Sequence, residues 1–88
     1  MNQETQFDIF IEIKDAKTDK LKTKIKMGQA PSIGKAERMI YDSFVNFCRD
    51  VAHKALDRTT YINAIEWNWG GNIYRYYYLV HEDEKLVN

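Results

Sequence analysis

The chain has 88 residues and a mass of 10.5 kDa, too short for two independent hydrophobic cores. Its 13 basic residues balance 13 acidic ones, which excludes a polybasic nucleic-acid tail and a strongly acidic DNA mimic as the whole of the protein. A hydrophobic fraction of 44% belongs to a globular chain, the aromatic fraction of 14% is high, and one cysteine forms neither an internal disulfide nor a structural zinc site.

The opening residues, M-N-Q-E-T-Q-F-D, carry no basic region, apolar stretch or cleavage site, so no signal peptide is expected. The longest apolar run, Tyr76–Val80, has five residues, and no membrane span is expected from it. The expected compartment is the cytoplasm. Ile, Lys, Asn and Tyr, all with AT-rich codons, supply 30 of the 88 residues, a bias common in AT-rich bacteria and their phages.

Residues 7–13, F-D-I-F-I-E-I, alternate Phe7, Ile9, Ile11 and Ile13 with Asp8, Phe10 and Glu12, the period of a strand with one buried face. A short polar loop at 15–19 leads into 20–27, K-L-K-T-K-I-K-M. There Leu21, Thr23, Ile25 and Met27 fall on one face, and Lys20, Lys22, Lys24 and Lys26 on the other. The segment 28–32, G-Q-A-P-S, breaks the strand, and Ser32 is a suitable helix N-cap. From Ile33 to Asp57 the apolar period becomes three and four, through Ile33, Ala36, Ile40, Phe44, Phe47, Cys48, Val51 and Ala55, which reads as one long amphipathic helix.

Residues 60–69, T-Y-I-N-A-I-E-W-N-W, read as a strand, Gly70-Gly71 as a two-residue turn, and 72–81, N-I-Y-R-Y-Y-Y-L-V-H, as the return strand. The expected fold is α+β: a ββαββ two-layer sandwich, a four-stranded antiparallel sheet with one long helix packed on one face. It forms a single domain over 1–88, with 1–5 and 82–88 loosely ordered.

The second hairpin poses the functional question. Centred on Gly70-Gly71, its register pairs Trp69 with Asn72, Trp67 with Tyr74, Ile65 with Tyr76, Asn63 with Tyr78 and Tyr61 with Val80 on one face. The other face pairs Asn68 with Ile73, Glu66 with Arg75, Ala64 with Tyr77 and Ile62 with Leu79. The opposite charges of Glu66 and Arg75 support that register. Two arrangements follow. Either the aromatic face lies under the helix as core, or Ile62, Ala64, Tyr77 and Leu79 do, and the aromatic ladder is exposed as a binding surface. In the second arrangement Trp67, Trp69, Tyr74, Tyr76 and Tyr78 are the candidate partner-binding residues.

Residues 14–26 hold six lysines and two aspartates, net +4. Lysines along an edge strand discourage aggregation. Alternatively, Lys20, Lys22, Lys24 and Lys26 with Arg75 track phosphates while aromatic rings stack on unpaired bases.

No catalytic set is legible. The glycines match no phosphate loop, and the two histidines have no spacing that sets them beside a nucleophile. His53 falls on the polar side of the helix and Cys48 on its apolar stripe. His81 with Glu82, Asp83 and Glu84 reads as a solvated tail, and neither a metal nor a cofactor is expected. As an acid–base group, Glu66, Arg75 and Tyr77 are the only polar set expected to be held in fixed geometry. The stretch G-G-N-I-Y-R-Y-Y-Y-L-V-H at 70–81 resembles a strand pair of ribosome-dependent mRNA-cleaving toxins, which often carry Gly–x–Tyr–Arg there. It covers 12 of 88 residues. Those toxins have a paired-helix N-terminal half and basic catalytic residues near the C-terminus, and this chain departs from both features.

The expected function is therefore that of a small non-enzymatic interaction protein, which binds and inhibits or modulates a protein partner through the second hairpin and an exposed sheet edge. Small stand-alone chains of this kind are often phage or mobile-element factors that act on a host or defence protein. The alternative is a single-stranded nucleic-acid or RNA binder, and a homodimer through paired edge strands is compatible with both.

Overall fold

The computed structural model describes residues 5–82. The chain forms β1 (Phe7–Asp15), β2 (Leu21–Ala30), α1 (Ile33–Phe47), a π-helical turn (Cys48–Ala52), β3 (Thr59–Tyr61), β4 (Ala64–Trp69) and β5 (Asn72–Val80). The fold is α+β, with one helix and an antiparallel sheet in the order β2-β1-β5-β4-β3. The last strand is therefore the central one, paired along its whole length with β1 and over Asn72–Tyr77 with β4. The connection through α1 carries the chain from one edge of the sheet, β2, to the other, β3.

The sheet has five strands where the sequence predicts four. The 60–69 segment divides at Ile62-Asn63 into two strands joined by a two-residue turn. Asn63 makes the turn possible because it is bonded to the central strand. Its carboxamide Nδ2 donates to the Tyr78 carbonyl at 2.9 Å, and its own carbonyl accepts from the Tyr78 N–H at 3.1 Å. The predicted register of the second hairpin holds from Trp69↔Asn72 to Ala64↔Tyr77, with Glu66 opposite Arg75. Beyond it the predicted pairs Tyr61–Val80 and Ile62–Leu79 do not form. Tyr61 folds back onto Ala64 instead, and Ile62 stands exposed at the turn.

Helix α1 begins at the predicted cap, where Ser32 Oγ accepts from the Lys35 N–H at 3.2 Å. It buries Ala36, Ile40 and Phe44, one face at a spacing of four. The regular helix is shorter than the 33–57 expected. It widens into the π turn and stops at His53, which adopts the left-handed conformation (φ 58°) and whose N–H returns to the Cys48 carbonyl.

Strand β2 runs three residues beyond its expected end, to Ala30, because register breaks between Ile9 and Phe10 and between Ile13 and Lys14 absorb the mismatch with β1.

The core lies between α1 and one face of the sheet. Phe7, Ile9 and Ile11 of β1, Ile65 and Trp67 of β4, and Tyr76 and Tyr78 of β5 pack beneath Ala36, Ile40 and Phe44. Five rings form its centre. Trp67 stacks nearly parallel on Tyr74 (5.6 Å, 5°) and on Tyr76 (5.2 Å, 27°), while Phe44 and Phe47 meet it at steep angles from the helix. This is the physical use of the aromatic excess. A chain this short fills its core with a few large rings, each of which buries far more apolar area than an aliphatic side chain.

Candidate functional site

The sequence leaves two arrangements of the second hairpin open, and the structure has the first. Trp67, at 2% exposure, Tyr76 and Tyr78 are buried, and Trp69 and Tyr74 are half-buried against Phe47. Trp67, Trp69, Tyr74, Tyr76 and Tyr78 therefore do not form an exposed contact ladder. The even register between Gly70-Gly71 and the helix-facing positions of β1 turns all five toward α1.

Among the described residues, no helix lies over the opposite face of the sheet. It carries Asp8, Phe10, Glu12 and Lys14 from β1, Ile73, Arg75, Tyr77 and Leu79 from β5, and Glu66 and Asn68 from β4, as the registers dictate. Its centre is a closed polar–aromatic network. Tyr77 stacks on Phe10 (5.4 Å, 26°), and its hydroxyl donates to Glu12 Oε2 at 2.7 Å. Arg75 Nη1 donates to Glu66 Oε2 at 3.0 Å, and the guanidinium lies over Tyr61 and Tyr77 at 5.3 and 5.9 Å. Tyr77 is only 7% exposed although it lies on the open face. Burial and the Glu12 carboxylate push its hydroxyl up to about 12. The Glu66, Arg75 and Tyr77 set is thus divided between two carboxylates, with Tyr77 bonded to Glu12 rather than to Glu66.

The lysines do not form one free stripe. Lys20 lies in the loop before β2, where its carbonyl accepts from the Asp15 N–H. Lys22 Nζ donates to Asn72 Oδ1 at 2.9 Å. Lys24 lies over the Phe10 ring at 5.3 Å, and Lys26 is paired with Asp8 at 3.1 Å. Asp8 gathers three donors, Gln29 Nε2 at 2.8 Å, Lys26 and the His81 ring. Partial burial raises a carboxyl, but these bonds outweigh it and hold Asp8 at about 2. The candidate nucleic-acid residues Lys20, Lys22, Lys24, Lys26 and Arg75 are therefore mostly engaged by the protein's own acceptors, and Glu12 and Glu66 stand among the rings that would have to receive bases.

The sequence sets Leu21, Thr23, Ile25 and Met27 on one face of a strand, and the structure leaves that segment largely uncovered. Leu21, Ile25 and Met27 are 54%, 50% and 49% exposed. Ile25, opposite Ile11, points to the helix side, whereas Leu21 falls opposite Lys14 beyond a register break and so lies on the open face. Helix α1 lies over β1, β5 and β4 and reaches only the end of β2, where Ala30 is buried and Met39 approaches Gly28. Strand β2 is thus open on both faces and, among the described residues, unpaired along its outer edge. The other edge is guarded differently. Strand β3 has three residues, and a shallow cleft of about 450 Å³ lined by Asp57, Arg58, Thr59, Glu66, Trp67 and Asn68 runs beside the uncovered part of β4. The signal that could have exposed β2 was in the helix. Its buried stripe is narrow, three residues in 15, and cannot cover five strands.

The remaining candidates are quiet. Cys48 is free and half-buried against the core, and His53 is exposed. No group of three metal-ligating side chains occurs among the described residues, which exclude Asp83 and Glu84. No described helix is long and apolar enough to cross a membrane. Comparison with protein-family models, with curated proteins and with solved structures finds no significant match for this chain.

Proposed function

We propose that the protein is a non-enzymatic binding module that captures a partner protein by taking an extended segment of it onto the outer edge of β2, and that it modulates the partner in that way. One observation carries this reading. Strand β2 is ten residues long, its outer edge is unpaired among the described residues, and it keeps three large apolar side chains half in water. An edge strand supplies a row of main-chain donors and acceptors, which gives affinity, and its side chains on alternate faces give specificity. Exposed aliphatic side chains beside that row lose their contact with water when a strand is added.

The second reading is a single-stranded nucleic-acid binder on the open face, and it draws on Phe10 and Tyr77 beside Lys24 and Arg75. It is the weaker one, because the carboxylates of Glu12 and Glu66 occupy the same surface.

The two are separated by selecting displayed peptides on the immobilised protein and mapping the winners by amide chemical shifts. Under the edge reading the selected peptides shift and protect the amides of Leu21–Met27, and Ile25→Asp abolishes binding while the circular dichroism spectrum is unchanged. The reading fails if winning peptides leave β2 untouched. Single-stranded DNA or RNA that shifts Phe10 and Tyr77 at low salt, and is released by salt, would transfer the function to the open face.

A further inference from the structure

From the charge on β2, and resting on the edge-strand reading above, we infer that the segment it receives is acidic on one face and apolar on the other: a strand in which Asp or Glu alternates with aliphatic residues, its carboxylates on the lysine side.

Strand β2 carries Lys22, Lys24 and Lys26 and no carboxylate of its own. Between its two register breaks, Lys24 and Lys26 pair with Glu12 and Phe10 of β1 and share the open face with them. Ile25 pairs with Ile11 and faces the helix side. A strand added to the outer edge meets this alternation directly. Its residues opposite Lys24 and Lys26 lie on the open face, and its residue opposite Ile25 lies beside that half-exposed side chain on the helix side. On the open face the inner neighbours of the lysines are already used. Asp8 holds Lys26, Glu12 Oε2 holds the Tyr77 hydroxyl, and Lys24, although opposite Glu12, makes no ion pair among the described residues and lies over the Phe10 ring. The outer side is where further negative charge can be placed.

The same geometry argues against a second copy of the chain as the occupant. An antiparallel pair of identical strands about a two-fold axis normal to the sheet sets even-numbered residues opposite even-numbered ones. Over the unbroken run Thr23–Lys26, Lys24 would then face Lys24 or Lys26 of the other copy. Like charges directly opposite destabilise a ladder, and the lysines would thus discourage self-association while they select an acidic partner.

The test uses three fluorescent eight-residue peptides on the full chain, each with Val and Thr at alternate positions and with Glu, Gln or Lys between them. Binding is read by anisotropy and placed by amide shifts. The acidic peptide is expected to bind about tenfold more tightly than the neutral one at low salt, with the gap narrowing as salt is added, and the basic one is expected not to bind. In Lys24→Gln/Lys26→Gln, checked for an unchanged circular dichroism spectrum, the preference is expected to fall to near one while neutral-peptide binding persists. Equal affinity of the acidic and neutral peptides for the parent protein would overturn the charge inference and leave the edge reading standing. Failure of all three to shift Leu21–Met27 would overturn both. A concentration-dependent dimer that protects those amides would overturn the inference by giving the edge to a second copy.

Discussion

The Tyr77 hydroxyl reaches across from β5 to β1 and donates to Glu12 Oε2 at 2.7 Å, on the face of the sheet opposite α1. A charge-assisted bond of this length ties the central strand to its neighbour from outside the core. Ionisation of Tyr77 would break it and set two negative charges side by side. Its pKa rises from the usual 10 to about 12 in the folded protein, so its contribution to stability is complete below pH 10 and is lost as pH rises toward 12. Burial also raises Tyr76 and Tyr78. Alkaline unfolding followed by circular dichroism is expected to begin above pH 10, together with a late, cooperative rise in phenolate absorbance. Tyr77→Phe is expected to lower stability at pH 7 by about 1–3 kcal/mol and to flatten the loss above pH 10. An unaltered alkaline profile in that variant would mean the bond is not formed.

Trp67 is the centre of the ring cluster, and its indole Nε1 is buried without a hydrogen-bond partner among the described residues. Trp67→Ala is expected to cost about 3–5 kcal/mol, a large share of the stability of a domain this small, and to leave little folded protein at 37 °C. Trp67→Phe keeps the stacking surface and removes the unpaired donor, so it is expected to cost less than half as much. Acrylamide quenching gives the companion observation: Trp67 emission is protected and Trp69 emission is intermediate. Chemical denaturation of the two variants decides the matter, and a folded, near-native Trp67→Ala would remove Trp67 from the core.

The local elements were legible because each rests on short-range chemistry. Ser32 caps the helix, Gly70-Gly71 turns the hairpin, and Glu66 sits opposite Arg75, all as the sequence predicts. What escaped rests on long-range competition. The turn at Ile62-Asn63 has no glycine and begins with a β-branched residue. It is made by Asn63 bonding to Tyr78, 15 residues away. The sequence sets Leu21, Thr23, Ile25 and Met27 on one strand face without deciding whether it is covered, since a strand's alternation is the same whether or not a helix arrives to cover it. Only the sheet order, with β5 inserted between β1 and β4, moves β2 to the rim and leaves those side chains in water. An exposed edge is anticipated by the alternating lysines of 20–26, but which strand forms it, and what covers its two faces, is a property of the sheet order that no local pattern carries.

At one end of the sheet, Asp8 is shared by Gln29, Lys26 and His81, which join β1, β2 and the residue after β5. Its carboxyl is partly buried, which alone would raise its pKa, but the three donors bring it to about 2. A carboxyl lowered in this way stabilises the fold above its unfolded value near 4, and the contribution is lost as pH falls from 4 through 2. Asp8→Asn is expected to be less stable than the parent at pH 6, with the difference closing between pH 4 and pH 2. Urea unfolding at a series of pH values measures the gap. A difference that stays constant down to pH 2 would show that the carboxylate charge is not what these donors stabilise.

His53 ends the π turn in the left-handed region, φ 58° and ψ 34°, with its N–H bonded to the Cys48 carbonyl. A residue with a Cβ pays for that conformation in steric strain, and glycine does not. The exposed ring makes no hydrogen bond within the described residues, so little else is lost by removing it beyond its weak charge effect on Asp50. His53→Gly is expected to stabilise the protein by about 0.5–1 kcal/mol, a rise in Tm of roughly 2–8 °C for a domain of this size, despite the greater freedom glycine gives the unfolded chain. His53→Ala is the control, because it removes the ring but keeps the Cβ, and it is expected to bring no gain. Equal Tm for the two variants would mean that the left-handed cap is not strained, and a gain in both would assign the effect to the imidazole.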